Sequence, residues 1–373
     1  MGWMLTRATL RGTLAQIRHV APVPPSAAHG QVAAVYRQVQ RDFGLLAPPV
    51  SLHAPAPGPL AACWLMLRET LIAAGHATRA EKEAVAVAVS AANACPYCVE
   101  VHVTAAHGLL SRRDAAGLVA EADPDATLNP TLRAVTSWAR DSGLRSRAGC
   151  HPPPFPREQA PELIGVAVCF HYLNRMVNVF LDRSPVPPGL PEAVRGYLPR
   201  VIGRLIAPIT QKARPPGASL NLLPPAGCPD DLAWAAGNPT IADAFGRAAA
   251  AVEVAGRRAV SPAVRELVCA RLATWDGRPR LDPDWVERAV AQLPAEDRPA
   301  GRLALRTAFA SDQVGDREIQ AVRDRSVDDE TLIALTAWAS LAAARRIGTW
   351  LPAEPAIRKM PGAPAATDDA GAN

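Results

Sequence analysis

Residues 82–102 read KEAVAVAVSAANACPYCVEVH, and this stretch ends with two cysteines, Cys95 and Cys98, followed by His102. The alanine-rich part before the cysteines favours a helix, because alanine has the highest helix propensity of all residues. His102 follows Cys98 by four residues, so the two side chains share one face of a helix. We therefore predict two helices that meet near residues 93–96, with both thiols at the start of the second.

The start of this second helix suggests thiol chemistry. Pro96 suits the first position of a helix, which makes Cys95 the N-cap and Cys98 the third helical residue. Both sulfurs would then lie near unpaired N–H groups and the positive end of the helix dipole. This setting favours the thiolate, which is the nucleophilic form of cysteine. We expect His102 to accept or hold the proton of Cys98.

Glu83 lies twelve residues before Cys95, on the preceding apolar helix. A straight helix of that length would separate them by ~18 Å. The chain must therefore turn back near Asn93, which would bring Glu83 closer to the level of His102 than to that of Cys95. We predict a proton relay from Cys98 through His102 to Glu83, with waters if needed, and a raised pKa for the glutamate in its apolar setting.

Composition favours an all-α protein of about two domains. The chain has 373 residues, of which 49% are hydrophobic and only 5% aromatic. Its core must therefore consist largely of alanine, valine and leucine, which suits packed helices better than strands. The 37 prolines cluster between the apolar segments and separate them.

Charge and cysteine content narrow the class of protein. A net charge of +5 is spread along the chain without a dense basic block, so we expect no nucleic-acid partner. Seven cysteines do not make a disulfide scaffold in a chain of this length. No apolar run approaches the ~18 residues of a membrane helix, and no signal peptide is evident. We expect a cytoplasmic protein that does not bind membranes.

The pattern of helices and prolines predicts five segments. They are an N-terminal, loosely held arm (1–28), a catalytic helical domain (29–184), a Pro-rich connector (185–229), a second helical repeat (230–354) and a disordered tail (355–373). The connector carries a basic amphipathic segment that we expect Pro199 to interrupt and that we expect to pack between domains rather than on a membrane.

The second half repeats the order of the first. Ser261-Pro262 precedes an apolar helix as Thr78-Arg79 does, at an offset of 183 residues. The same offset places Arg278, Leu281 and Trp285 where the first half has its two cysteines and histidine, although the glutamate survives as Glu266. We predict a duplicated core whose second copy has no redox site.

The spacing E-x11-C-x2-C-x3-H and its surroundings resemble the alkylhydroperoxidase-D-like branch of the carboxymuconolactone decarboxylase family. The resemblance is strong over residues 60–110 and extends more weakly over 30–182 through Asn174-Arg175. It implies an all-helical fold, a homo-oligomer and reduction of hydroperoxides. It further implies that Cys98 is the peroxidatic thiol, that Cys95 is the resolving thiol, and that Glu83 and His102 relay protons.

This resemblance implies a cycle that needs no metal or organic cofactor, only an external dithiol or thioredoxin-like reductant. Tyr97 departs from the family, whose best-known members have a histidine at that position. Its hydroxyl can still donate and accept a hydrogen bond, so we expect Tyr97 in the relay or at the pocket. Tyr172 and Asn174 are expected to line the pocket if the last helix of the first half packs on the cysteine helix. Three alternatives stay open: a non-catalytic redox switch, a general thiol–disulfide oxidoreductase, and a zinc site at Cys95, Cys98 and His102.

Overall fold

A computed structural model of the chain describes residues 14–118, 129–148, 152–186, 192–280 and 282–351. Every regular element in these ranges is a helix, and the only extended pairings among them are two isolated bridges, Ile17–Leu181 and Ala73–Arg214. The prediction of an all-α fold is confirmed. The predicted disordered tail and Cys150 lie outside the described residues.

The described part of the first half contains nine α-helices in chain order. They are α1 (Gly30–Phe43), α2 (Pro48–Ser51), α3 (Pro57–Leu67), α4 (Arg79–Ala92), α5 (Pro96–Ala106), α6 (Arg112–Gly117), α7 (Pro130–Asp141), α8 (Arg145–Ala148) and α9 (Ala160–Phe180). A π-helical turn, Arg68–Ile72, extends α3. Helix α4 packs against α5, α7 and α9, so the thiol-bearing helix lies beside the centre of this half.

The rest of the chain adds seven helices within the described ranges. They are α10 (Glu192–Thr210), α11 (Pro239–Ala259), α12 (Pro262–Ala273), α13 (Trp285–Val290), α14 (Arg298–Phe309), α15 (Asp316–Arg323) and α16 (Asp329–Gly348). Helix α12 packs against α14 and α16, much as α4 packs against α7 and α9.

Corresponding helices of the two halves pack on each other, α3 against α11 and α9 against α16. Both equivalent helices also begin in the same way. Thr78 caps α4 by accepting a hydrogen bond from the Glu81 N–H, and Ser261 caps α12 by accepting one from the Val264 N–H. This arrangement is the one expected if a duplicated unit pairs with its own copy about an approximate two-fold axis.

One hydrophobic core runs through both halves and includes Leu163 and Phe170 of α9 as well as Phe245 of α11 and Leu335 of α16. The predicted domain boundaries at residues 184 and 230 stay a prediction. The single core continues across both of them and does not mark either one. The N-terminal arm is not loosely held over residues 14–20, since Leu14 and Ile17 are buried, which corrects the expectation from its sequence.

The connector contains one long helix that belongs structurally to the first half. Helix α10 packs on α5 and α1, and it continues through position 199, where we predicted that proline would end it. Its crossing with α5 is close: a Cβ atom on Gly203 would lie 2.3 Å from the Thr104 carbonyl oxygen, and one on Gly108 would lie 2.5 Å from the Gly203 carbonyl oxygen.

Buried ion pairs hold the end of the connector and the start of α4 in place. Arg68 donates to Asp42 at 2.8 Å and to Glu69 at 2.7 Å, and Glu69 accepts from the Ser219 hydroxyl at 2.6 Å. Lys82 lies 2.7 Å from Glu162. These paired charges are almost fully buried, so each partner is costly to remove alone.

One helical segment, Arg157–Phe180, is long and apolar enough to cross a membrane by length and composition. The expectation that no segment approaches that length is therefore wrong. Of its most apolar window, 94% is buried inside the molecule, where α9 packs against helices of both halves. This is the position of a central core helix.

Candidate active site

The two cysteines lie at a sharp turn between α4 and α5. Ala94 adopts a left-handed backbone conformation with φ of 50°, and the Cys95 N–H donates to the Ser90 carbonyl at 2.9 Å. Cys95 is the N-cap of α5 and Pro96 occupies its first turn, as the sequence predicts. The turn makes α4 and α5 neighbours and brings residues far apart in sequence into contact.

Glu83 and His102 meet directly across this pair of helices. The His102 Nδ1 atom lies 2.6 Å from Oε2 of Glu83, and both side chains are buried. Arg79, one turn before Glu83 on α4, donates to the other carboxylate oxygen at 2.8 Å. Glu83 therefore holds a histidine on one side and an arginine on the other.

The pKa of Glu83 is lowered, not raised as its apolar surroundings led us to predict. Burial alone would raise the pKa, but the positive charge of Arg79 and the contact with His102 outweigh that effect. The prediction failed because it considered only the apolar face of α4. The carboxylate is thus ionised at neutral pH and accepts both hydrogen bonds.

Both thiols are enclosed, with Cys95 and Cys98 each 1% exposed and neither in a disulfide. The Cys95 side chain accepts no capping hydrogen bond from the backbone N–H groups of α5. Burial raises the pKa of Cys98, the neighbouring Cys95 raises it further, and a hydrogen bond with Asn174 only partly opposes them. The prediction that the helix start favours the thiolate is therefore wrong for this enclosed arrangement, in which Cys98 is a thiol.

A cavity of about 310 Å³ opens beside Cys98 and His102. Cys95 is not part of its wall, so only one of the two sulfurs faces this space. Most of the lining is apolar, with Phe43, Leu45, Val50, Leu67, Val101, Leu173, Val186 and Ile202. Such a cavity suits a small organic molecule with an apolar body.

The three further residues that we expected near the pocket have different positions. Tyr97 lines the cavity and donates its hydroxyl to Gln16 at 2.7 Å. Asn174 accepts from Asn93 at 2.9 Å and bonds Cys98. Tyr172 does not line the cavity, because its hydroxyl is 2.8 Å from His53 in the core.

The remaining histidines near the site have packing contacts. His107 caps the end of α5, and the buried His171 bonds Asn93 and Ser142. Within the described ranges, no three His, Cys, Asp or Glu side chains are grouped closely enough to hold a metal ion. Glu266, the counterpart of Glu83, is exposed, so the second half does not repeat the buried carboxylate.

Several site residues escaped the sequence analysis. Arg79 stands four residues before Glu83, the spacing of a helical ion pair, and that signal was available. Phe170 packs its ring edge-to-face on His102 at 4.6 Å. Gln16 comes from the N-terminal arm, and no local pattern links it to Tyr97.

Comparison with known proteins gives the family of the chain. Residues 59–141 match the Carboxymuconolactone decarboxylase family. The chain is also 38% identical over 336 residues to "Alkyl hydroperoxide reductase Rv2159c" from Mycobacterium tuberculosis (strain ATCC 25618 / H37Rv), an alignment that covers 90% of this chain and 95% of that relative. The likeness therefore includes both halves of the chain.

Proposed function

The chain belongs to the carboxymuconolactone decarboxylase family, and on that premise we propose that it reduces organic hydroperoxides with the thiol pair Cys98 and Cys95. The relative's name supplies the class of reaction, an alkylhydroperoxidase-type oxidation and reduction. The finer proposal is that Cys98 attacks the peroxide, Cys95 resolves the product, and Glu83 and His102 move the proton.

One observation carries the proposal: Cys98 and His102 line the same apolar cavity, and a buried carboxylate holds His102 at 2.6 Å. A hydroperoxide in that cavity would meet a sulfur and a proton acceptor together. Cys95 is behind Cys98 and outside the cavity wall, which suits a thiol that acts second.

The contact with Glu83 gives the histidine its role. An ionised carboxylate only accepts hydrogen bonds, so Nδ1 of His102 must donate. In the neutral ring Nε2 then keeps a lone pair and can accept the proton of Cys98, through a water where needed. Because the pKa of Cys98 is raised by burial, this proton transfer is essential to form the nucleophile.

The proposed chemistry balances in two steps. The Cys98 thiolate attacks the terminal oxygen of ROOH, the O–O bond breaks, and RO⁻ takes the proton held by His102 to leave as ROH. Cys98 becomes a sulfenic acid, and the thiolate of Cys95 displaces hydroxide from it, which leaves as water after protonation, to give the Cys95–Cys98 disulfide. An external dithiol then reduces the disulfide by exchange.

Burial of both sulfurs bears on the reductant. A small dithiol can approach through the cavity, whereas a thioredoxin-like protein could reach the sulfurs only if the helices packed around α5 moved apart. The same burial disfavours a general thiol–disulfide oxidoreductase, which exposes its attacking sulfur to protein substrates. We propose a small dithiol as the electron donor, in a reducing cytoplasm.

Anaerobic titration with tert-butyl hydroperoxide tests the proposal. The fully reduced protein should lose two of its seven thiols per chain and should turn over once a dithiol is supplied. Cys98→Ser should lose none to a stoichiometric amount of peroxide, and Cys95→Ser should stop at a sulfenic acid that a dimedone probe traps. Cys269→Ser, which removes an exposed cysteine of the second half, is the matched control.

Other outcomes would replace the proposal. Loss of two thiols without turnover by any dithiol would make the pair a redox switch. Thiols that react only after a chelator is added would indicate a zinc site at Cys95 and Cys98. Consumption of peroxide by Cys98→Ser at the native rate would refute the role of that residue.

Self-association stays a proposal as well. Leu45, Ile202 and Leu205 are large apolar side chains exposed by 46%, 38% and 73%, and the first two also line the cavity. We propose that a second copy of the chain contributes to this area in a homo-oligomer. Sedimentation velocity of native protein and of Leu205→Asp would show a change of mass if it does.

A further inference from the structure

A second cavity, of about 370 Å³, lies between the two halves of the molecule. The first half contributes Asn93 and Ala94, which directly precede Cys95, and the second half contributes Trp275 and Phe309. This cavity is separate from the apolar one, because the two have no lining residue in common. Its lining differs in charge as well.

Arg175 of α9 lies in the wall of this cavity and is only 6% exposed. Its Nε donates to the Ala308 carbonyl at 3.0 Å and its Nη1 donates to the His171 carbonyl. In the part of the chain that the structure describes, its Nη2 makes no hydrogen bond and no carboxylate lies within 4 Å of the guanidinium. A buried cation without a counter-ion is costly, and an anion would offset that cost.

The pKa of Arg175 is consistent with a buried cation that has no counter-ion. Burial lowers it to about 10, and no acidic side chain opposes the effect. The other buried arginine, Arg68, pairs with Asp42 and Glu69. Arg175 is therefore unlike its buried counterpart, whose charge is balanced within the protein.

Two more arginines stand at the same cavity. Arg140 and Arg280 line it and are exposed, while Asp312 is the one acid among its described lining residues. The Arg280 guanidinium lies 5.7 Å from the centre of the Phe309 ring, and that of Arg175 lies 6.0 Å from the Trp275 ring. The lining thus combines an excess of positive charge with aromatic surface.

The loop that carries Arg280 is fixed against the first half. Gly277 has φ of 91°, and a Cβ there would lie 1.9 Å from the Gly143 carbonyl oxygen, so the two backbones touch. The Arg145 N–H also donates to the Asp276 carbonyl at 2.9 Å. These contacts fix the backbone near Arg280 against the first half, which reduces the entropy lost on binding.

We propose that this cavity binds a small organic anion, through a carboxylate or phosphate group seated on Arg175 and bordered by Arg140 and Arg280. The apolar part of the ligand would lie on Trp275 and Phe309. Guanidinium groups suit both anions, because their N–H donors match two oxygens at once. The argument for this site does not depend on the thiol chemistry proposed above.

Isothermal titration calorimetry of the full-length reduced protein tests the site, with succinate and inorganic phosphate as probes and sodium chloride at matched ionic strength as the blank. Saturable binding of either probe is expected. Arg280→Gln should weaken it roughly five-fold, and Arg175→Gln roughly 10- to 100-fold, since a buried charged hydrogen bond contributes more than an exposed one. Arg278→Gln, an exposed neighbour outside the cavity, should bind as the native chain does.

Absence of binding beyond the sodium chloride blank would overturn the proposal, and so would native affinity in a folded Arg175→Gln. If that variant does not fold, the double variant Arg140→Gln/Arg280→Gln decides, because both side chains are exposed. Affinity equal to that of the native chain in the double variant would then overturn the proposal, because Arg280→Gln alone should weaken binding roughly five-fold.

The source of the anion needs a second experiment, which rests on the proposed peroxidase cycle. The oxidised protein is reduced with dimercaptosuccinate, which carries two carboxylates, or with neutral dithiothreitol, each with and without phosphate. If phosphate inhibits only the reduction by dimercaptosuccinate, the anion that binds this cavity is an electron donor. If phosphate binds but inhibits neither reduction, the anion is a ligand other than the electron donor.

Discussion

Glu83→Gln is the most informative single change, because it keeps the size of the side chain and removes only its charge. In the native chain the carboxylate holds His102 at 2.6 Å, and the side chain of Glu83 has no exposed surface. When His102 takes the proton of Cys98 it becomes a cation, and the carboxylate stabilises that state. The glutamine retains an acceptor oxygen but no charge.

The loss can be sized from this contact. A hydrogen bond between a charged pair contributes about 1.5–3 kcal/mol, and each 1.4 kcal/mol corresponds to a factor of ten in rate. We therefore expect the oxidation of Cys98 by peroxide near pH 7 to slow about 10- to 100-fold. The effect should shrink at high pH, where solvent can deprotonate the thiol without the histidine.

Rapid-quench thiol counting over pH 6–10 measures this effect, with tert-butyl hydroperoxide in excess. Glu81→Gln is the matched control: it lies on the same helix, is partly exposed, and keeps the N-terminal capping box, in which glutamine also serves. A rate for Glu83→Gln within two-fold of native at every pH, in a folded protein, would refute the relay.

The same variant has a consequence for stability. Because the pKa of Glu83 is lowered in the folded protein, its contribution is present above the unfolded value of about 4.3 and is lost as pH falls through the folded value. Glu83→Gln should therefore unfold with less dependence on acid than the native chain. A native acid dependence in the variant would show that the carboxylate has the same pKa in both states.

Three further outcomes are expected. Burial raises the pKa of Cys98, so its alkylation by iodoacetamide should quicken about tenfold per pH unit from pH 6 to 9, and a plateau near pH 7 would contradict the enclosed thiol. Val101→Trp should fill part of the apolar cavity and slow reaction with cumene hydroperoxide roughly tenfold while sparing hydrogen peroxide; equal effects on both would argue against this cavity as the substrate site. Glu162→Gln leaves Lys82 buried beside a neutral partner and should cost about 3–5 kcal/mol in urea unfolding, whereas a loss under 1 kcal/mol would show that the lysine relaxes into water.

Sequence predicted the fold well where the signal is local. Alanine-rich helices, Pro96 at the start of α5 and the return at Asn93 follow from propensity and capping, and the contact of Glu83 with the region of His102 followed from helix geometry. The order of helices in the second half was readable because Ser261 repeats the cap of Thr78. These features depend on neighbours a few residues apart.

Predictions failed where distant parts of the chain decide the outcome. The pKa of Cys98 depends on how completely other helices bury α5, and no spacing encodes that burial. Tyr172 faces His53 rather than the cavity because α9 is buried on every side. Arg79 was the exception: its spacing from Glu83 was readable, and it reverses the predicted direction of that residue's pKa shift.

The crossing of α5 and α10 at Gly108 and Gly203 suggests how the thiols avoid damage. With only glycine hydrogens at the crossing, the connector helix packs close against the end of the thiol-bearing one. One methyl group at Gly203 would force the two helices apart. A second molecule of peroxide would then oxidise the sulfenic acid of Cys98 before Cys95 reached it, and the irreversible sulfinic acid would accumulate. Under the proposed cycle, the two glycines should therefore prolong the life of the catalyst, counted in turnovers.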